Sequence, residues 1–166
     1  MSISQAFIGE LEQEAHATRK LFAAVPDDKL GWRPHEKSMT LGKLCSHIAL
    51  LPNWSKVMVE GDGLNFAEPM EPEPVAASSE ELLAMFESAM ETCRQCLEGK
   101  SDQDLMATWT MSKGDEVISQ MPKVAVTRAW LCNHLYHHRG QLTVYLRMLD
   151  VPLPQVYGPT ADDPSF

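Results

Sequence analysis

The stretch Trp130-Leu131-Cys132-Asn133-His134-Leu135-Tyr136-His137-His138-Arg139-Gly140-Gln141 decides how this chain is read. Thr127, Trp130, Leu131, Leu142, Tyr145 and Leu149 recur around it at three- and four-residue steps, which predicts a helix from about 122 to 149 with one buried stripe. His134 and His138 fall four apart on that stripe, one above the other, with Cβ atoms about 5–6 Å apart. The spacing sets both in the middle of the buried face, not on its rim. A polar ring turned toward a core needs partners for both nitrogens or loses its solvation, whereas two imidazoles so placed can converge on one cation. His137 competes for the pairing, but its angle sets it on the flank. Gln141 lies on the stripe. Arg139 points away from it, toward the surface or a subunit contact.

Three more helical segments precede this one. From Ser4 to Ala24, Phe7, Leu11, Thr18 and Phe22 share a stripe, with Glu14 near its edge and His16 facing solvent. Pro26-Asp27-Asp28 and Gly31-Trp32-Arg33-Pro34 then break the pattern. The second segment starts near Thr40, a suitable N-cap. It carries Leu41, Leu44, His47, Ile48, Leu51 and Trp54 on one face, with Pro52 expected to kink or shorten it, and Gly61-Asp62-Gly63 at its end. Residues 65–77, with Pro69, Pro72 and Pro74 among acidic residues, read as a long exposed crossover. Ser78 or Ser79 caps the third helix, whose buried stripe is Leu82, Phe86, Ala89, Cys93 and Leu97, and Gly99 ends it. Between the third and last helices, Trp109-Thr110-Met111 and Val117-Ile118 flank Lys113-Gly114-Asp115, the pattern of a small β-hairpin. The expected architecture is all-α: a four-helix bundle with a long crossover loop, a hairpin before the last helix and an irregular tail over 150–166, in one domain over 1–166.

His47 lies on the apolar face of the second helix, so three inward-facing histidines are available: His47, His134 and His138. Three imidazoles suit zinc, nickel, copper or ferrous iron better than magnesium or calcium, which prefer oxygen. Three protein ligands also leave a coordination position for water or substrate, as catalytic sites require. His35, alone in a loop between Pro34 and Glu36, receives no role.

Fourteen basic residues against twenty-three acidic ones give a net charge of −9 over 166 residues. That balance opposes binding to a phosphate backbone or an anionic membrane surface. No apolar run approaches the roughly 20 residues of a membrane span, and the N-terminus lacks the basic start and apolar core of a signal peptide. The cytoplasm is therefore the expected compartment, and Cys45, Cys93, Cys96 and Cys132 are expected to be free thiols. Cys93-Arg94-Gln95-Cys96 matches C-x-x-C, but inside a helical pattern it reads as two core thiols. Trp32, Trp54, Trp109 and Trp130 read individually as core residues, though together they could wall a pocket.

The sequence resembles the DinB family of DinB/YfiT-like metalloproteins. The resemblance rests on Leu44-Cys45-Ser46-His47-Ile48-Ala49, on His134-Leu135-Tyr136-His137-His138-Arg139-Gly140-Gln141-Leu142 and on the ending Pro152-Leu153-Pro154-Gln155-Val156-Tyr157-Gly158-Pro159-Thr160-Ala161-Asp162. It implies a four-helix bundle of unusual connectivity, a divalent metal on His47, His134 and His138, and often a homodimer. Zinc or nickel is the metal expected first, with iron next. Some members of the family are transferases that use low-molecular-weight thiols, or isomerases that use such a thiol, and many have no assigned reaction.

Two function classes follow. In the first, the chain is a metal-dependent enzyme for a small molecule: a thiol S-transferase acting on an electrophile, or a hydrolase using metal-bound water. Gln141, His137 and Glu14 are the residues expected beside its metal, with no general base evident. In the second, the metal only ties helices together in a non-catalytic bundle or stress-response protein.

Overall fold

The computed structural model describes residues 1–165. It is mostly helical, with one small three-stranded sheet. Helix α1 spans Ile3–Ala23 and starts on a capping box in which Ser2 and Gln5 satisfy each other's backbone N–H. Helix α2, Leu41–Leu50, is capped by Thr40, whose hydroxyl accepts from the Lys43 amide. Helix α3, Ser79–Leu97, is capped by Ser78, with Glu80 and Glu81 facing the positive end of the helix dipole. A short α4, Asp102–Met106, follows the turn at Gly99, whose φ of 74° suits a residue without Cβ. Helices α5, Lys123–Thr127, and α6, Asn133–Met148, are joined by a π-helical turn over Arg128–Cys132, so the last helical segment runs almost unbroken.

Helix α1 packs on α3 and α6, and α2 packs on the same two helices from the other side. The apolar stripes meet in a core centred on Leu21, Phe22, Leu44, Ile48, Leu82 and Phe86. Phe22 and Phe86 meet there edge to face, 5.6 Å apart. Residues 65–77 form the expected long crossover between α2 and α3, without helix. The tail is irregular and begins at Asp150, whose φ is 57°.

The second helical segment does not run straight to Gly61. With no N–H at Pro52, the helix tightens into a 3₁₀ turn over Leu51–Trp54, then widens into a π-helical turn over Lys56–Glu60. Two side chains from outside meet carbonyls of that wide turn. The Trp109 indole donates to the Val57 carbonyl at 2.9 Å, and the buried Lys123 ammonium donates to the Val59 carbonyl at 3.1 Å while pairing with Asp62.

The expected hairpin is present as β2, Thr108–Lys113, and β3, Glu116–Pro122, turning at Gly114 with φ of 60°. A third strand was not expected: β1, Gly63–Asn65, adds in parallel to β2, giving the order β1-β2-β3. Gly63 makes this close approach feasible, since a Cβ there would lie 2.3 Å from the Thr110 carbonyl oxygen. The sheet is anchored by Trp109, which is fully buried; Trp32, Trp54 and Trp130 are only half-buried.

Candidate metal centre

Helix α2 carries His47 and helix α6 carries His134 and His138, and the packing of these two helices brings the three rings together. Ring centroids lie 5.1 Å apart for His47 and His134, 4.8 Å for His47 and His138, and 4.6 Å for His134 and His138. One nitrogen from each imidazole falls in a group whose members are all within 4.8 Å of one another. Nε2 of His47 faces Nε2 of His134 at 3.4 Å. That separation is what two ligands at metal–nitrogen distances of about 2.0–2.1 Å span in a tetrahedral site.

The outer nitrogens are held by acceptors. Nδ1 of His47 lies 2.8 Å from the Glu73 carboxylate, and Nδ1 of His138 lies 2.7 Å from the Gln141 side-chain oxygen. Neither acceptor can supply a proton in its ordinary form, so the proton sits on Nδ1 and donates outward, leaving Nε2 as a lone pair. Gln141 in turn donates through its amide nitrogen to Nε2 of the exposed His137, at 3.1 Å. His134 lies just past the π-helical turn over Arg128–Cys132 that precedes α6. Lone pairs directed at one another repel unless a cation lies between them, and outward-donating imidazoles are the form that binds a metal. The donor set therefore fits a divalent transition metal.

The electrostatics agree. Burial holds the His134 imidazole below the ordinary histidine pKa, and a charge on His47 would push it further down. Burial also lowers His138, against the opposing pull of Gln141. Both rings thus favour the neutral, ligating form at neutral pH.

Several residues sit elsewhere than the sequence suggested. Arg139, read as a surface or subunit-contact residue, is buried at 1% exposure. Its guanidinium pairs with the Glu14 carboxylate and donates to the Glu14 carbonyl at 2.9 Å and the Tyr157 hydroxyl at 2.6 Å. Glu14 is therefore engaged by Arg139 and Tyr157 and joins α1, α6 and the tail. His16 and His35 are exposed. Sequence reasoning did not select Glu73: it sits between Pro72 and Pro74 in an acidic loop, where nothing in residue type separates it from Glu68 or Glu71. The four cysteines are free and buried. Burial pushes the thiols of Cys45 and Cys93 up to about 12 and that of Cys132 to about 11.

With this geometry in hand, the relatives are informative. The sequence profile of the DinB family matches residues 1–165. The chain belongs to the DinB family. Among curated proteins it is 28% identical over 161 residues to the uncharacterized protein YrdA of Bacillus subtilis, covering 95% of this chain and 89% of YrdA. A DinB-like protein of Bacillus cereus has a similar structure, with a TM-score of 0.71 at 24% identity over 92% of this chain and 97% of that one. A DinB-like protein of Bacillus subtilis gives 0.67 at 19% identity, over 90% and 95% of the two chains. At these identities the two structures establish a shared DinB-like fold. No helix among the described residues is long and apolar enough to cross a membrane.

Proposed function

We propose that this DinB-family chain binds a divalent transition metal, zinc or nickel before iron, on His47, His134 and His138, and serves as a metal-dependent enzyme for a small molecule. The observation that carries this reading is the convergence of three ring nitrogens, two of them with the opposite nitrogen held by Glu73 or Gln141. Within the described residues that cluster offers three protein ligands, leaving room for water or substrate. We read the four long helical segments as a bundle with the metal joining the second to the last. Bound there, the metal would supply Lewis acidity or hold a thiol as thiolate. The reaction class to test first is thiol-dependent S-transfer to a small electrophile, with hydrolysis next. A cytoplasmic homodimer is the assembly we expect, and light scattering in solution tests it.

The decisive experiment has two parts. Elemental analysis of protein purified without added metal should find near one transition metal per chain. The metal-loaded protein should then accelerate reaction of a low-molecular-weight thiol with an electrophile above the metal-free rate. Stoichiometric metal with no acceleration for any thiol or hydrolysable substrate favours the non-catalytic alternative. The bridging of α2 and α6 by the histidine cluster supports that alternative in its own right.

A further inference from the structure

The crossover between α2 and α3 is held to α2 at two consecutive residues. The Ser46 hydroxyl accepts from the buried Ala76 amide at 2.9 Å, and the next residue, His47, is bonded through Nδ1 to the Glu73 carboxylate at 2.8 Å. Glu73 itself is otherwise open to solvent, with 38% of its side chain exposed. Three residues upstream the same loop contributes Met70, with Glu71, to the wall of a cavity of about 310 Å³ that Asn53, Trp54, Val57 and Leu64 complete. Asn53 and Trp54 follow His47 on the same helical segment. One loop therefore touches both the outer nitrogen of a candidate metal ligand and a cavity further along the segment.

We infer that Glu73 is a positioning residue for the metal centre, and that its bond to His47 makes the crossover loop the element that responds to metal occupancy. This rests on the metal reading given above. An acceptor on Nδ1 fixes the tautomer and the ring plane of His47, so Nε2 is presented to the metal without a further ordering cost. Linkage makes the effect reciprocal: if the loop's contact strengthens metal binding, metal binding strengthens the loop's contact by the same factor. Pro72 and Pro74 flank Glu73 and limit the backbone freedom that the contact must overcome.

The test uses the whole protein, one metal ion, zinc, and three variants. Zinc affinity by competition with a chelator should fall about 10–100-fold in Glu73→Ala. Glu73→Gln, which keeps an acceptor oxygen at the same reach, should recover most of that loss. Glu68→Ala, an exposed acid on the same loop, should match wild type, which removes net charge as the explanation. Hydrogen exchange provides the second readout: zinc should slow exchange over 66–77 in wild type but not in Glu73→Ala, while metal-free melting temperatures stay equal. If wild type binds zinc and Glu73→Ala binds it within twofold as tightly, or if zinc protects the loop equally in both, the inference is overturned and the metal site stands. If wild type binds no stoichiometric metal, the metal site itself is wrong.

Discussion

Replacing Glu14 by Gln isolates the buried charge pair that the sequence did not reveal. Arg139 is 1% exposed and Glu14 13% exposed, and the pair is tied further to the Tyr157 hydroxyl and the Thr18 hydroxyl. The substitution keeps shape and an acceptor oxygen but leaves a guanidinium without its counter-charge. Breaking one side of a buried pair typically costs about 3–5 kcal/mol, because the remaining charge stays desolvated. The low end applies here: the Glu14 carbonyl and the tyrosine hydroxyl still accept from Arg139, and the rings of Tyr136 and Tyr157 lie 5.5 and 5.0 Å from its centre. About 3 kcal/mol lowers the melting temperature by roughly 6–12 °C in a chain of this size. The assay is urea unfolding of the metal-free protein, with Glu10→Gln as comparison. Glu10 makes an analogous pair with Arg128, but 45% of the Arg128 side chain and 32% of the Glu10 side chain are exposed, so about 1 kcal/mol or less is expected. Metal affinity should be unchanged in Glu14→Gln, since Glu14 bonds Arg139 and Tyr157. A loss under about 1 kcal/mol would refute the claim that burial makes this pair dominant; a large loss of metal affinity would refute its separation from the histidines.

Other consequences can be checked with the same protein. His138→Ala should abolish stoichiometric metal and lower the melting temperature of the as-purified protein, whereas His35→Ala should change neither; metal near one per chain in the first variant would remove His138 from the site. Because burial lowers the folded-state pKa of His134 and His138 below the ordinary 6.5, the unfolded chain takes up protons first as pH falls. Metal-free stability should therefore carry no penalty from these rings above about pH 6.5 and lose ground as pH drops below it toward their folded values. Urea midpoints flat from pH 7 to 5 in the metal-free protein, after subtraction of the same profile for His134→Ala/His138→Ala, would contradict this. With all four thiols buried and raised, a disulfide reagent at pH 8 should label less than one cysteine per native chain and four after denaturation; rapid native labelling of Cys93 or Cys96 would mean that the C-x-x-C pair is accessible.

What could be read from the sequence was whatever depends on local periodicity. The stripes of α1 and α3, the caps at Thr40 and Ser78 and the break at Pro52 are local, and each is present. The pairing of His134 and His138 was also legible, because i, i+4 spacing on a helix determines a distance directly; for His47 the sequence supplied only an apolar helix face. Long-range contacts were not. The strand β1 exists because Gly63 can approach Thr110 forty-seven residues later, and a three-residue strand leaves too little pattern to detect. Glu73 reaches His47 across a proline-rich crossover that obeys no period. Arg139 was set on the surface because its angle lies off the stripe drawn from residue type, and only its contact with Glu14, 125 residues away, makes burial affordable.

Arg139 was misplaced because the stripe drawn for α6 is rotated from its core face. Counting about 100° per residue from Leu131, the buried residues Leu135, His138, Arg139, Leu142 and Leu146 lie between about −20° and +80°. The stripe drawn from residue type, through Thr127, Trp130, Leu131, His134, His138, Gln141, Leu142, Tyr145 and Leu149, is centred near −40° by the same count, about 70° away. Trp130 and Tyr145 pulled it in that direction, yet both are half-buried. His134 and Gln141 consequently stand at the margin of the core, with His138 just inside it, where the histidine pair had been expected at its middle. The difference bears on function. Imidazoles at the centre of the packed helices would be sealed by aliphatic side chains, and a ligand could reach them only if α2 separated from α6. At the margin, His47 and His134 are half-buried and the neighbouring Glu73 and His137 are exposed, a placement that supports the ligand-exchanging reading proposed above.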